Sequence, residues 1–180
     1  MRVCFDACVL YPTVLREILV GCAGEGLYAP LWSARILEEW ARATVKLGPG
    51  AEDVARGEIA RLRSEWPAAE VVPRAGDLDR LSLPDPDDVH VLAAAIAGSA
   101  DLLCTFNARD FPKAALSEEG IVRVDPDQLL RQAWPGEEAG IRRVIERVHA
   151  EAERLSGERI ELRGLLKRAR LPRLAKLVGR

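Results

Sequence analysis

The 180-residue sequence contains no apolar run close to the roughly 20 residues that a membrane-spanning helix needs. Its first 12 residues are mostly apolar, but they carry an acid at position 6 and no small-residue cleavage site follows them. This segment is therefore expected to be a buried strand and not a signal peptide. Both absences argue against a membrane protein.

Groups that form disulfide bonds or bind zinc are also few. The sequence has only two histidines, His90 and His149, and four cysteines, Cys4, Cys8, Cys22 and Cys104. The cysteines lie inside apolar runs, and no two of them form a CxxC pair. Buried thiols of this kind usually pack as small hydrophobic side chains. A disulfide framework and a structural zinc site are both disfavoured, and a reducing, cytoplasmic compartment is the expected location.

The formal net charge of only −2 hides an uneven distribution of charge along the chain. Residues 1–125 hold 13 basic and 20 acidic side chains, whereas residues 158–180 hold 8 basic and only 2 acidic ones. An acidic body suits a protein that binds metal through carboxylates, and a basic tail suits attraction of a polyanion. An alternative of equal weight is that the tail is a basic helix exposed to solvent, with no binding role.

Short apolar runs alternate with helical patterns over the first 125 residues. The runs predict strands at residues 3–10, 27–31, 70–72, 102–105 and 121–124. Helices are predicted between them, beginning near Thr13, at Ser33, at Ala51 and at Asp85. This alternation predicts an α/β fold with a central parallel sheet. We expect one domain at residues 1–125 and a helical C-terminal extension at residues 126–180, built from segments 127–134, 137–155, 162–169 and 171–178.

Acidic or amide side chains occur at four places that an α/β sheet can bring together. Asp6 interrupts an apolar strand, where an unpaired carboxylate is costly to bury. Glu38 and Glu39 lie on the second helix, and three acids (Asp85, Asp87, Asp88) open a later one. Residues 105–112 follow another strand and form the fourth place. Individually these acids have simpler explanations, such as helix capping or a solvated face, so their combination carries the inference.

Carboxylates from separate elements are typical of Mg²⁺ and Mn²⁺ sites, because both ions prefer a few oxygen ligands and keep several waters. Active sites of open α/β sheets lie at the carboxyl ends of strands, where Asp6 and residues 105–112 are expected. The acids therefore predict a site for one or two divalent cations that can polarise a phosphate.

Four segments together resemble the PIN domain, in the order and spacing of that family, and cover roughly residues 1–125. They are residues 3–10 (VCFDACVL), 33–40 (SARILEEW), 85–95 (DPDDVHVLAAA) and 100–112 (ADLLCTFNARDFP). The sequence is most similar to the bacterial branch that includes VapC-type toxins of toxin–antitoxin pairs. The helical C-terminal extension also resembles one that some of these toxins carry.

The resemblance implies an α/β/α sandwich and a Mg²⁺- or Mn²⁺-dependent endoribonuclease. An RNA substrate (tRNA is one candidate), an antitoxin that inhibits the enzyme and a homodimer are the expected partners. By position, the resemblance implies that Asp6, Glu39 and Asp88 are the acids that bind metal and catalyse hydrolysis. Glu38 is the less favoured alternative to Glu39, and Asp87 is the less favoured alternative to Asp88.

The chain departs from the family pattern at its fourth position. Many members have Asp two residues after the position of Thr105, whereas this chain has Asn107. We expect Asn107 to be a metal ligand and Asp110 to supply the missing negative charge as a catalytic residue. Arg109 is the expected contact to the RNA backbone. The departure leaves open whether one or two ions bind.

Two other functions stay open. One is a PIN-like module that binds RNA or protein without catalysis, its site weakened by Asn107. The other is a small-molecule phosphatase, because Asp6-Ala7-Cys8 resembles the start of the haloacid-dehalogenase signature. Cys8 replaces the second aspartate of that signature, which disfavours this alternative.

Overall fold

The computed structural model describes residues 1–179. The chain forms two compact units, the first made of Met1–Tyr11 and Ala29–Arg123, the second of Pro12–Tyr28 and the chain from Val124 onward. Arg180, the last residue of the predicted C-terminal extension, lies outside the described residues. The domain boundary after residue 125 stays a prediction.

A five-stranded parallel sheet forms the centre of the first unit. Its strands are β1 (Arg2–Phe5), β2 (Ala29–Ser33), β3 (Glu70–Val71), β4 (Leu102–Cys104) and β5 (Val122–Val124). Their order in the sheet is β3-β2-β1-β4-β5, which places β1 at the centre. Helices flank this sheet, and the predicted α/β fold with a parallel sheet is confirmed.

Ten α-helices are present in residues 1–179. They are α1 (Ala7–Leu10), α2 (Thr13–Gly24), α3 (Ala34–Ala43), α4 (Ala51–Glu65), α5 (Ala75–Arg80), α6 (Val89–Ala97), α7 (Lys113–Glu118), α8 (Pro126–Ser156), α9 (Leu162–Arg168) and α10 (Pro172–Val178). Helices α2, α8, α9 and α10 belong to the second unit, and the others belong to the first. No helix in this part of the chain combines the length and the apolar character needed to cross a bilayer.

The core of the first unit lies between the central strands and the helices that pack on them. Val3, Cys4 and Phe5 of β1 are all fully buried, as expected for a strand covered on both faces. Helix α6 contacts β1, β2 and β4 through an apolar surface that includes Val91 and Leu92. This packing holds the first turn of α6 and the carboxyl ends of β1 and β4 in fixed positions.

The predicted strand at residues 3–10 is wrong beyond its first half. Strand β1 ends at Phe5, and the chain turns at Asp6 into the one-turn helix α1. The backbone N–H groups of Val9 and Leu10 donate to the carbonyl oxygen of Asp6, which closes this turn. Since a short apolar run has the same composition in a buried strand and in a buried helix, periodicity alone does not separate the two. The turn places Asp6 at the end of the strand and not in its middle.

Two of the predicted helix starts had different outcomes. Ser33 caps α3 as predicted, because its Oγ accepts a hydrogen bond from the backbone N–H of Ile36. The helix predicted near Thr13 begins at Thr13, but Pro12 precedes it and no side chain caps it.

In the second unit, α8 contacts both α2 and α10. The sequence predicted two helices at residues 127–134 and 137–155, and α8 (Pro126–Ser156) consists of two helices joined across a kink at Glu137, where the backbone is not helical. Pro135 explains the kink, since a proline inside a helix removes one hydrogen bond and crowds the preceding turn. Gly21 of α2 allows a close approach to α8, because a Cβ there would lie 2.6 Å from Cγ1 of Val144.

Asp127, which is only 4% exposed, anchors α10 to α8. Its carboxylate accepts hydrogen bonds of 2.9 Å from the backbone N–H groups of Arg173 and Leu174, in the first turn of α10. First-turn N–H groups have no partner inside their own helix. We expect Asp127→Ala to lower the free energy of unfolding by about 2 kcal/mol, because it leaves these donors buried without an acceptor.

Urea denaturation of the two variants Asp127→Ala and Glu146→Ala measures this effect. Glu146 is an exposed acid on the same helix, and its replacement is expected to change stability by less than about 0.5 kcal/mol. Equal midpoints for the two variants would contradict the anchoring role of Asp127.

Candidate active site

Two polar side chains follow the neighbouring strands β1 and β4. Asp6 comes directly after Phe5, Thr105 comes directly after Cys104, and Phe5 is in register with Cys104. The hydroxyl of Thr105 donates a 2.6 Å hydrogen bond to Oδ2 of Asp6. Asp6 is only 6% exposed, and this bond offsets part of the cost of burying its carboxylate. The carboxyl edge of the sheet therefore presents a fixed negative charge.

The loop after β4 connects this edge of the sheet to the entry of α6. The backbone N–H of Asn107 donates to Oγ1 of Thr105 at 2.9 Å. The side-chain Nδ2 of Asn107 donates to Oδ2 of Asp88 at 3.0 Å, and its Oδ1 accepts a 3.4 Å hydrogen bond from the backbone N–H of Asp110. Asn107 thus holds the carboxylate of Asp88 and is bonded to the backbone of Asp110.

Three carboxylates form a cluster near Asn107. One oxygen from each of Asp85, Asp88 and Asp110 lies within 4.8 Å of the other two. No salt bridge to any of these three carboxylates occurs within residues 1–179. Like charges at this separation repel each other, and a cation bound between them would relieve that repulsion.

Asp85 was not among the predicted site residues. It opens a short 3-10 turn (Pro86–Asp88) that precedes α6, and its Oδ1 accepts a hydrogen bond from the backbone N–H of Asp87. The interpretation of Asp85 as an acid at the start of a helix is thus correct. This hydrogen bond, however, uses only one of the two carboxylate oxygens of Asp85. Because the turn is a single 3-10 turn, residues three apart lie almost above each other, which brings Asp85 to the same side as Asp88. The spacing of three residues between Asp85 and Asp88 is the sequence feature that could have indicated their proximity.

The pKa of Asp88 is raised to about 6, from an ordinary value of 3.8. Partial burial is the largest cause, followed by the negative charges of Asp6, Asp85, Asp110 and Glu39. All three acids predicted to accompany Asp88 therefore contribute to the potential at its carboxylate.

Glu39 and Glu38 lie in different surroundings, although they are adjacent on α3. Oε1 of Glu39 lies 2.7 Å from Nε2 of the buried His90, although the angle is not that of a hydrogen bond. Glu38 instead pairs with Arg56 and Arg42, which lower the pKa of Glu38 to about 2. Glu39 also lies 3.5 Å from Nε of Arg35. Its charge nevertheless contributes to the raised pKa of Asp88, so Glu39 is the glutamate that the contacts favour at the site.

His90 of α6 is buried beside Glu39 of α3. Within the described chain neither ring nitrogen makes a hydrogen bond. The contact with Glu39 comes from α3, an element distant in sequence, so the pattern of α6 alone did not reveal it.

Two further candidates are exposed. The side chain of Asp87 is 94% exposed and lies 3.9 Å from the guanidinium of Arg35. Asp87 is therefore a weaker candidate for the site than Asp88. Arg109 is exposed next to Asp110 in the loop after β4. Its role as a contact for substrate stays a prediction.

Cys8 lies beside Asp6 but does not have the properties of a nucleophile. Its Sγ is 3.1 Å from Oδ2 of Asp6, and burial together with the charge of Asp6 raises the pKa of the Cys8 thiol to about 12. A thiol attacks as the thiolate, which this environment suppresses. The cysteine is a hydrogen-bond donor to Asp6, and its side chain is partly buried rather than fully buried as predicted.

The raised pKa of Asp88 makes the stability of the metal-free protein depend on pH. Between about pH 4 and 6 the folded protein holds a proton on Asp88 that the unfolded chain releases. We therefore expect this group to increase the free energy of unfolding as pH falls from 6 towards 4, and to oppose folding above pH 6. Urea denaturation in chelator at pH 5 and pH 7 tests this, with Asp88→Asn as the variant in which this contribution disappears. An unchanged pH dependence in Asp88→Asn would contradict it.

Mg²⁺ and Mn²⁺ prefer oxygen ligands, carboxylates among them. The carboxylates of this cluster have no salt-bridge partner in the described residues. The residues present therefore fit a small divalent cation. The individual roles predicted for Asp6, Glu39, Asp88, Asn107 and Asp110 stay predictions.

Comparison with protein families gives a match between residues 2–109 and the PIN domain. Searches of curated proteins and of solved structures gave no match. PIN domains are generally metal-dependent nucleases. The matched segment spans β1 to the loop after β4, and therefore contains Asp6, Glu39, Asp88 and Asn107. Since it covers more than half of the chain, the protein belongs to the PIN-domain family.

Proposed function

We propose that this protein is a metal-dependent endoribonuclease. The observation that carries the proposal is the group of three carboxylates (Asp85, Asp88, Asp110) that lie together without a salt bridge in the described chain of a PIN-domain protein. Most other acids near a basic side chain are neutralised by it, as Glu38 is by Arg56. A set of like charges left unpaired is costly unless a cation binds to it.

Mg²⁺ or Mn²⁺ is the cation we propose. Asp88 and Asp110 would hold it together with Asp85, while Asp6, Glu39 and Asn107 would complete or orient the ligand set. When bound, the ion polarises the phosphate and makes an attacking water more acidic.

The protein's own residues fix the geometry of this site. Thr105 holds Asp6 in one orientation, and Asn107 holds Asp88. Because the ligands are positioned before the substrate arrives, little reorganisation is needed at the moment of reaction. Arg109, exposed beside the cluster in sequence, is proposed to bind an RNA phosphate.

The cleavage assay separates this proposal from its two alternatives. Purified protein is incubated with a labelled single-stranded RNA of mixed sequence and with a small phosphate monoester, each with Mn²⁺, with Mg²⁺ and with chelator. We expect cleavage of RNA only in the presence of metal. Metal-dependent hydrolysis of the monoester alone would favour a phosphatase, and RNA binding without cleavage would favour a non-catalytic module. An Asp6→Asn preparation purified in parallel controls for contaminating ribonucleases.

We further propose that the enzyme is the toxin of a toxin–antitoxin pair, that it acts in the cytoplasm on RNA such as tRNA, and that it forms a homodimer. The resemblance of residues 3–10, 33–40, 85–95 and 100–112 to VapC-type toxins supports this. Induced expression in a bacterial host should arrest growth, whereas equal expression of Asp6→Asn should not. Normal growth with the native protein, in a host that contains no cognate antitoxin, would contradict the toxin role.

Glu39 and Glu38 form a matched pair for testing the ligand set. We expect Glu39→Gln to weaken Mn²⁺ binding by about 10- to 100-fold, because the negative charge beside His90 and Asp88 is removed. Glu38→Gln should leave the affinity within about twofold, because Arg56 and Arg42 already neutralise that charge. Isothermal titration with Mn²⁺ measures both constants. A larger loss in Glu38→Gln would show that the register is reversed.

A further inference from the structure

Helices α9 and α10 carry exposed basic side chains that lack carboxylate partners. The set, called the basic surface below, consists of Arg163, Lys167, Arg168, Arg173 and Lys176. No salt bridge to any of these five occurs in the part of the chain that the structure describes. Only two acids, Glu158 and Glu161, are present in residues 158–179, and both oxygens of Glu161 accept backbone N–H groups at the start of α9.

Arginines elsewhere in the chain are used differently. Many of them pair with a neighbouring carboxylate: Arg35, Arg42, Arg56, Arg61, Arg63, Arg80, Arg142, Arg143 and Arg154. Basic side chains without such a partner also occur elsewhere, for example Arg74 and Arg109, but the basic surface gathers five of them within residues 163–176. Its cations are left available, as the acids of the candidate active site are.

The apolar side chains of the same two helices face inward. Leu165, Leu166, Leu171, Leu174 and Ala175 are at most 6% exposed, whereas the five basic side chains between them are exposed. Leu162, Leu177 and Val178 are partly exposed, so the segment presents mainly charge, with a small apolar contribution to its surface. An amphipathic helix that inserts into a membrane needs exposed apolar side chains, and a protein interface needs an apolar centre. A phosphodiester backbone needs only cations.

The basic side chains are also close enough for their fields to add. Arg163 and Lys167 are four residues apart on α9, and Arg173 and Lys176 are three apart on α10, so each pair lies on one face of its helix. Each helix has seven residues and is about 10 Å long, close to the screening length of about 8 Å at physiological salt. The two helices pack against each other, so the two pairs lie on neighbouring elements.

We propose that the basic surface binds the phosphate backbone of single-stranded RNA, independently of base sequence. The choice of RNA among polyanions rests on the proposed ribonuclease function, whereas binding itself requires neither metal nor cleavage. In this role α9 and α10 raise the affinity of the enzyme for long RNA.

Direct binding in chelator tests the proposal separately from catalysis. The protein is the full chain with Asp6→Asn, and the ligand is a labelled 30-nucleotide RNA of mixed sequence, titrated at several salt concentrations. The test variant carries Lys167→Gln, Arg168→Gln, Arg173→Gln and Lys176→Gln. The matched control carries Arg42→Gln, Arg61→Gln, Arg63→Gln and Arg154→Gln, which remove the same charge at exposed, ion-paired positions.

We expect the test variant to bind RNA at least about tenfold more weakly at 0.1 M salt than the control. Its slope of log K against log salt should be shallower by about 2 to 3, because four phosphate contacts are lost at about 0.7 each. Equal losses in both variants would show that only net charge matters and would overturn the proposal, as would no loss in either. Binding of the native surface to vesicles of phosphatidylcholine and phosphatidylserine, but not to RNA, would overturn it in favour of a membrane.

Thermal denaturation shows whether the test variant folds. If it does not, the two pairs Lys167→Gln with Arg168→Gln and Arg173→Gln with Lys176→Gln are measured separately. Each pair should then show about half of this decrease in slope, roughly 1.4. Native binding by both folded pairs would overturn the proposal.

Discussion

Replacing Asp88 with asparagine should lower the rate of metal-dependent RNA cleavage by about a thousandfold or more. Its carboxylate lies within 4.8 Å of those of Asp85 and Asp110 and accepts a hydrogen bond from Asn107. A divalent ion supplies several kcal/mol of charge stabilisation to such reactions, and each 1.4 kcal/mol corresponds to about a factor of ten in rate. Loss of a central charge therefore removes most of the effect.

The neighbouring acid provides the control for this prediction. Asp87→Asn removes the same charge one residue away, from a side chain that is 94% exposed, and should leave the rate within about twofold. The melting temperature should rise with Mn²⁺ in the native protein and in Asp87→Asn, because an ion that binds the folded state stabilises it by mass action. Equal rises in Asp88→Asn and the native protein would show that the ion binds elsewhere.

Asp110→Ala should reduce cleavage more than Asn107→Ala does. Asp110 contributes a charge to the carboxylate cluster, whereas Asn107 contributes a neutral amide that holds Asp88 and accepts from the backbone of Asp110. Loss of a residue that orients a ligand costs about 10- to 100-fold, and loss of a ligand charge should cost more. The ranking tests whether Asp110 replaces the acid that many family members have at the position of Asn107.

Single-turnover cleavage of a total tRNA pool at saturating Mn²⁺ measures this ranking. Native-like cleavage by Asp110→Ala, together with an inactive Asn107→Ala, would show that Asn107 itself holds the fourth position. The idea that Asp110 compensates would then be wrong.

The sheet was predictable because buried parallel strands are short and continuously apolar. The runs that became β1, β2, β4 and β5 are each separated by helical patterns, which leave few alternatives to a parallel sheet. The limit of this argument is visible at residues 7–10, where an apolar run continues past Asp6 but forms α1. Hydrophobic burial favours both conformations there, and only the turn at Asp6 separates them.

The candidate site was predictable in outline but not in detail, because its contacts join residues far apart in the chain. Whether Glu38 or Glu39 faces the site depends on Arg56 and His90, which lie on other helices. The membership of Asp85 in the cluster depends on the 3-10 geometry of a single turn. Local sequence patterns contain neither kind of information.

The most direct test of the central claim is the rate of RNA cleavage by the native chain and by Asp6→Asn across a titration of Mn²⁺. Asp6 is buried at the end of β1, and its charge contributes to the potential at Asp88. The account predicts a native rate that is negligible in chelator, rises with Mn²⁺ and saturates, and an Asp6→Asn rate near zero at every concentration. Cleavage by the native protein that is equally fast in chelator, or cleavage by Asp6→Asn at the native rate, would contradict it.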